Sequence, residues 1–199
     1  MKDGIIIKGI SGFYYVEVGQ DLYECKARGI FRKKGLSPLV GDRVAISIID
    51  EADKKGNIEK IYERKSELVR PPIANVDKVL ITFSVKEPNP NMVLLDRFIV
   101  FSEKENLDIR IILTKVDLDE DGTIVDRIVS DYGRIGYKVI PVSVETGQGI
   151  DQVRQELEGC ISVFAGQSGV GKSSILNAIE PGFKIDTAEI SQKLGRGKH

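Results

Sequence analysis

"GQSGVGKSS", Gly166 to Ser174, decides how this 199-residue sequence is read. Gly166, Gly171, Lys172 and Ser173 fit the spacing G-x-x-x-x-G-K-[ST] of a phosphate-binding loop. The flanks suit such a loop. The apolar run "CISVFA" leads in as a buried strand, and "SSILNAI" leads out with helical spacing. Between them Gln167, Ser168, Gly169 and Val170 complete a turn whose backbone N–H groups can face phosphate oxygens. Lys172 would reach the outer phosphates, the Ser173 hydroxyl would ligate Mg²⁺, and Ser174 would continue the helix start. A glycine-rich turn without a ligand satisfies the string alone, so the strand–loop–helix setting carries the reading. The position is odd. Only "ILNAIEPGFKIDTAEISQKLGRGKH" follows, too little for the rest of a nucleotide-binding fold. The remainder must lie upstream.

Upstream, residues 76–199 alternate between strand and helix patterns, which predicts a parallel sheet covered by helices. "DKVLITFSV", "DIRIILTK" and "YKVIPVS" read as strands. "NPNMVLLDRFIVFSEKEN" reads as a helix with Asn89 as cap and Pro90 at its first position. Ile124, Val125, Ile128, Val129 and Tyr132 recur at helical spacing, with Gly133 as the expected stop. Ile150, Val153 and Leu157 mark a further helix ending near Gly159.

Two strand ends carry chemistry. "TKVD" places Thr114, Lys115 and Asp117 after "IRIIL". A carboxylate there accepts two hydrogen bonds from guanine, which adenine cannot supply; leaving it unpaired is costly. Lys115 can lie along the base. "SVETGQG" follows the next strand, and Ser143 and Val144 can offer backbone N–H to the guanine oxygen. Each string alone is common in polar loops. Together with the phosphate loop they form a guanine-nucleotide set in permuted order, base motifs first. Joined termini and a new cut elsewhere would preserve one site.

Residues 1–66 differ in texture. "GIIIKGI", "FYYVEV", "LYECKAR", "DRVAISII" and "NIEKIYE" are five short β-rich runs divided by turn residues. They predict a small closed barrel of OB type, with an SH3-type barrel nearly as good a fit. This part carries 13 Lys and Arg against 10 Asp and Glu, whereas the whole chain nets −1. In "KARGIFRKKG", Lys26, Arg28, Arg32, Lys33 and Lys34 surround Phe31. These cations could neutralise RNA phosphates while Phe31 stacks on a base, or Phe31 could fill the barrel core. Pro71-Pro72 makes residues 67–75 the expected linker. Across all 199 residues two cysteines and a single histidine exclude a zinc ribbon and argue against a disulfide scaffold. No apolar run reaches the length of a signal or membrane segment, so a cytoplasmic protein is expected.

The chain resembles the circularly permuted, ribosome-small-subunit-dependent GTPases of the RsgA/YjeQ type over its whole length. The markers are "GIFRKKGLSPLVGDRV", "ELVRPPIANVD", "LLDRF", "TKVDL", "FAGQSGVGKSSILNAI" and "LGRGKH". The resemblance implies an N-terminal OB-fold that contacts ribosomal RNA, then a circularly permuted P-loop GTPase domain. It also implies GTP/GDP and Mg²⁺ as ligands, late maturation of the small (30S) subunit as the role, and a further zinc-binding module. A monomer without membrane association is the accompanying expectation. His199, in "GRGKH", is the position to which the family's histidine proposed for hydrolysis corresponds; an exposed switch-loop histidine with no catalytic part fits equally well.

Three departures stand out. Thr114 replaces the usual Asn, and its shorter side chain is expected to lose contact with guanine N7 and with the phosphate loop. A "DTPG"-type γ-phosphate motif is absent; "DEDG", Asp119 to Gly122, matches only as a string. The zinc module is also absent, so a chain truncated at its C-terminus, and weak in hydrolysis, is expected. Two other readings compete: an ATP-dependent P-loop kinase or ATPase, and an RNA-binding module with a vestigial nucleotide site. Asp117 argues against the first, and intact Lys172 and Ser173 against the second.

Overall fold

The computed structural model describes residues 1–33, 35–69 and 71–180. The chain forms two units, Met1–Val76 and the unit beginning at Asp77.

In the first unit β1 (Lys2–Ile10), β2 (Phe13–Val18), β3 (Asp21–Ala27), β4 (Arg43–Asp50) and β5 (Lys55–Ile61) close into a barrel of order β1-β2-β3-β5-β4. The single parallel pairing, β3 with β5, lets the antiparallel β4 close back on β1. That order is OB-like, which resolves the choice between barrels. Alternation sends Ile6, Val16, Tyr23, Cys25, Val44, Ile46 and Ile58 inward, each fully buried.

A short helix, α1 (Gly29–Lys33), interrupts the basic stretch, where the sequence suggested only a loop. Its Phe31 is 8% exposed and belongs to the barrel core. The expectation that Phe31 stacks on a base is therefore corrected: burying this ring inside a small barrel takes it away from any ligand surface.

Residues 67–75 differ from the expected linker. β6 (Glu67–Val69) and β7 (Pro72–Ala74) form a hairpin. Pro72 is tolerated because it opens its strand. Ala74 N–H donates to the Val40 carbonyl (2.9 Å), and the Asn75 amide to that of Gly41 (2.9 Å). Fully buried Asp42 receives Arg64 through both oxygens, at 2.7 and 2.8 Å. The hairpin thus belongs to the first unit.

The second unit has four parallel strands, β8 (Lys78–Ser84), β9 (Asp108–Thr114), β10 (Lys138–Val142) and β11 (Ser162–Ala165), in the order β10-β9-β8-β11. The helices are α2 (Met92–Lys104), α3 (Thr123–Arg134), α4 (Ile150–Leu157) and α5 (Lys172–Ile179). Two predicted boundaries shift. The cap of α2 is Asn91, not Asn89: its side-chain oxygen accepts from Leu94 N–H at 3.0 Å, leaving Pro90 outside the helix. α3 runs past Gly133 to Arg134. Gly136, at φ 96°, ends it, with Gly136 N–H bonded to Gly133 and Tyr137 N–H to Tyr132.

At the amino ends of the strands Glu156 binds Lys78 (2.6 Å), Arg110 (2.7 Å) and Lys138 (2.6 Å). Burial alone would raise its pKa, but hydrogen bonds from Lys138 and Lys78 and the charge of Arg110 pull it down to about 2. A depressed carboxylate stabilises the fold above its unfolded pKa, and that contribution is lost as pH falls through the folded value. Thermal stability should therefore decline between the ordinary value of 4.5 and about 2. Glu156→Gln should cost about 3 kcal/mol at neutral pH and flatten this acid limb. Melting curves from pH 7 to 2 check both; an unchanged acid limb in the variant would refute the assignment.

Candidate nucleotide site

The carboxyl ends of the four strands lie along one edge of the sheet, where open α/β sheets bind ligands. The phosphate loop leaves β11 there. Gly166 has φ 147°, and a Cβ at this position would stand 2.1 Å from the Thr82 carbonyl oxygen, so only glycine fits. Gly169 and Gly171 also take positive φ, 80° and 94°, and Gly171 caps α5. The first turn of α5 then points its N–H groups and helix dipole at the loop. Lys172 is half-buried; its amine donates to the carbonyls of Gly166 (3.0 Å) and Gln167 (2.6 Å). Burial lowers its pKa. Ser173 is 7% exposed at the start of the helix. Gln167 is half-buried and Ser168 exposed.

Thr114 corrects one part of the expectation drawn from its size, the loss of contact with the phosphate loop. Its buried hydroxyl donates 2.6 Å to the Val170 carbonyl, in the middle of the phosphate loop, and lies 3.3 Å from the Phe83 carbonyl. The tie between β9 and the loop is kept, because β9 comes close enough for a β-branched hydroxyl to reach. Val170, 1% exposed, contributes its carbonyl to this tie, and its side chain is packed away. Thr114→Val should leave that carbonyl unpaired, costing about 1–3 kcal/mol and weakening GDP binding roughly tenfold. Thr114→Ser should retain both. Calorimetry with GDP decides; equal affinity in Thr114→Val would show that the tie does not shape the loop.

Lys115 adopts φ 57° and its amine donates to the Glu87 carbonyl, tying it to the segment after β8. Asp117 sits in a single 3₁₀ turn, Val116–Leu118. Thr114, Lys115, Asp117, Val144, Gly171 and Ser174 line one cavity of about 320 Å³. Residues expected at the base and at the phosphates thus meet in one concavity. Ser143 does not line it: it is fully buried, its N–H bonded to Gln148 and its oxygen accepting from Thr146 N–H, so it shapes the loop. Leu118, Glu145 and Ile175 complete the lining and were not singled out from the sequence. Glu145 lies inside "SVETG", but only the fold shows which loop residues turn inward.

A magnesium ion fits the donor set in part. Ser173 offers a hard oxygen at the helix start, and Mg²⁺ commonly takes only one or two protein ligands beside phosphate oxygens and water. No group of three His, Cys, Asp or Glu among the described residues could hold a metal alone.

On the barrel Arg28 pairs with Glu59 at 2.6 Å, and the Lys26 amine lies 5.1 Å from the centre of the Phe13 ring. On β1 and β2 the Lys8 amine lies 5.5 Å from the Tyr15 ring. Phe13 and Tyr15, both half-buried, are aromatic groups that the sequence reading passed over in favour of Phe31. Arg32 and Lys33 fall in α1. Lys34 and His199 lie outside the described residues.

The family described as "RsgA GTPase" matches residues 61–199, and "RsgA N-terminal domain" matches residues 3–58. A protein of Alkaliphilus metalliredigens called small ribosomal subunit biogenesis GTPase RsgA is 50% identical over 199 residues, all of this chain and 68% of its own length. One of the same name from Ruminiclostridium cellulolyticum is 49% identical, over 100% of this chain and 65% of its own. The chain thus spans about two thirds of the length of these curated relatives. The crystal structure of YjeQ from Thermotoga maritima superposes with TM-score 0.85 at 38% identity, over 94% of this chain and 67% of that one. That of YloQ, described as a circularly permuted GTPase, gives 0.78 at 43%, over 92% and 66%.

Proposed function

Because the chain belongs to the RsgA GTPase family, we propose that it binds and hydrolyses GTP as a maturation factor of the small ribosomal subunit. The carrying observation is the shared cavity in which Asp117 of the base motif meets Gly171 and Ser174 of the phosphate loop. Asp117 would pair with guanine, and Lys172 and the loop N–H groups would hold the phosphates. When bound, Mg²⁺ would supply charge neutralisation between the phosphates, with Ser173 as its protein ligand. His199 remains the proposed water-orienting group. Zinc belongs to this reading only through a further C-terminal module. The reading assigns the protein to the cytoplasm as a monomer. Among the described residues no helix is long and apolar enough to cross a membrane.

With Phe31 inside the core, the proposed RNA surface moves to the outer face of β1–β3. Lys8, Phe13, Tyr15 and Lys26 couple rings with cations there, and Arg28 lies just beyond β3. Strand faces of this kind bind nucleic acid in OB-folds by stacking bases and neutralising phosphates. Phe13→Ala combined with Tyr15→Ala should weaken co-sedimentation with purified small subunits at least about tenfold, from stacking worth about 1–3 kcal/mol per base. Nucleotide affinity should not change. The whole reading is tested by displacing labelled GDP: ADP should fail where GDP succeeds, and equal displacement would favour an ATP-dependent enzyme. A chain that binds neither would favour the vestigial-site reading.

A further inference from the structure

α3 presents more apolar surface than the sheet beneath it covers. Ile128 and Tyr132 are 4% and 7% exposed, whereas Ile124 and Ile135, on the same stripe, are 36% and 66% exposed. Beside that stripe a groove of about 680 Å³ opens between α2 and α3, with Pro90, Met92 and Asp96 on its other wall. It shares no lining residue with the nucleotide cavity.

The groove is preformed. The Tyr132 hydroxyl donates to Asp96 at 2.8 Å. Burial, then this bond, raises the phenol's pKa, so the hydroxyl stays a donor at neutral pH. The groove is also acidic. Asp96 and Asp131 line it, and its lining cation, Arg127, lies 3.6 Å from Asp131. Residues 77–180 carry 17 Asp and Glu against 11 Lys and Arg, four of the acids in the segment 119–126 leading into and opening α3. Two of those four, Asp119 and Asp121, accept backbone N–H groups at the helix start, so part of this charge serves the fold.

We propose that this groove docks a basic peptide segment with apolar side chains, supplied by another protein. Its apolar groups would lie on Ile124, Ile128 and Ile135, and its Lys or Arg groups opposite Asp96 and Asp131. Amphipathic segments bind helix grooves in this way, and complementary charge selects among them. RNA is opposed by the acidic excess of the lining, two carboxylates against one guanidinium.

The test is fluorescence anisotropy of a labelled amphipathic lysine–leucine peptide titrated with the whole chain. A glutamate–leucine peptide and a uridine oligonucleotide serve as competing probes. Ile135→Glu and Asp131→Lys should each weaken binding of the basic peptide about tenfold. Asp53→Lys, the same charge change on an exposed barrel residue, should not. Both groove residues are solvent-facing, and melting curves confirm that the variants fold. Absence of binding by the basic peptide would overturn the proposal. So would equal losses in Asp131→Lys and Asp53→Lys, or preferential binding of the oligonucleotide that Ile135→Glu abolishes.

Discussion

Asp117→Asn should weaken GDP binding about a thousandfold, since two hydrogen bonds to a charged acceptor together contribute about 4 kcal/mol. The loss arises at the base and nowhere else. Asp117 stands in a single turn directly after β9, on the wall of the cavity that also contains Gly171 and Ser174. An amide in its place offers one acceptor and one donor, and the donor would face guanine's own. Xanthine presents the complementary pattern, so the variant should prefer xanthosine diphosphate over GDP. Calorimetry with both nucleotides checks the exchange. If the variant kept its preference for GDP, the guanine assignment of the cavity would be wrong.

Lys172→Ala should lower nucleotide affinity by about 2–4 kcal/mol, roughly thirtyfold to a thousandfold. The amine is half-buried, burial lowers its pKa, and it rests on the carbonyls of Gly166 and Gln167. A phosphate would replace those neutral partners with a charged one beside a half-buried amine. The fold should survive, because the neighbouring loop contact runs through Thr114 and Val170 rather than through the lysine. An unchanged melting curve with lost affinity is the expected pair of results. Unchanged affinity would mean that Lys172 does not reach the phosphates.

What the sequence disclosed depended on whether a local pattern had one physical meaning. The strand–loop–helix around Gly166 to Ser174 had one, because glycines, a lysine and a hydroxyl at that spacing serve few other purposes. The parallel sheet followed from alternating periods of two kinds. Phe31 was not decidable, since a ring among cations suits a ligand surface and a five-residue helix over a barrel equally well. The Thr114 tie was hidden because it joins residues 56 apart, a distance set by the sheet and not by the string. Asn89 and Asn91 compete for one helix start, and only the reach to Leu94 N–H separates them. Pro72 suggested a break because its place on the first residue of a strand depends on the partner strand.

The order of the strands has a consequence for how the molecule comes into being on the ribosome that makes it. Within the second unit, strands β8, β9 and β10 emerge before β11 and can pair in sequence through local βαβ units. β11 emerges after them and must return past β10 and β9 to β8; the adjoining contact between Asp77 and Ile161 closes a separation of 84 residues. Such long closures are late events in folding. The half proposed to recognise the base is thus synthesised before the half proposed to grip the phosphates. A nascent chain passes through a stage in which Asp117 is in place while nucleotide still lacks its anchor. Added GTP can capture only chains in which β11 has paired with β8, so ligand would act after the earlier pairings and leave them unhurried.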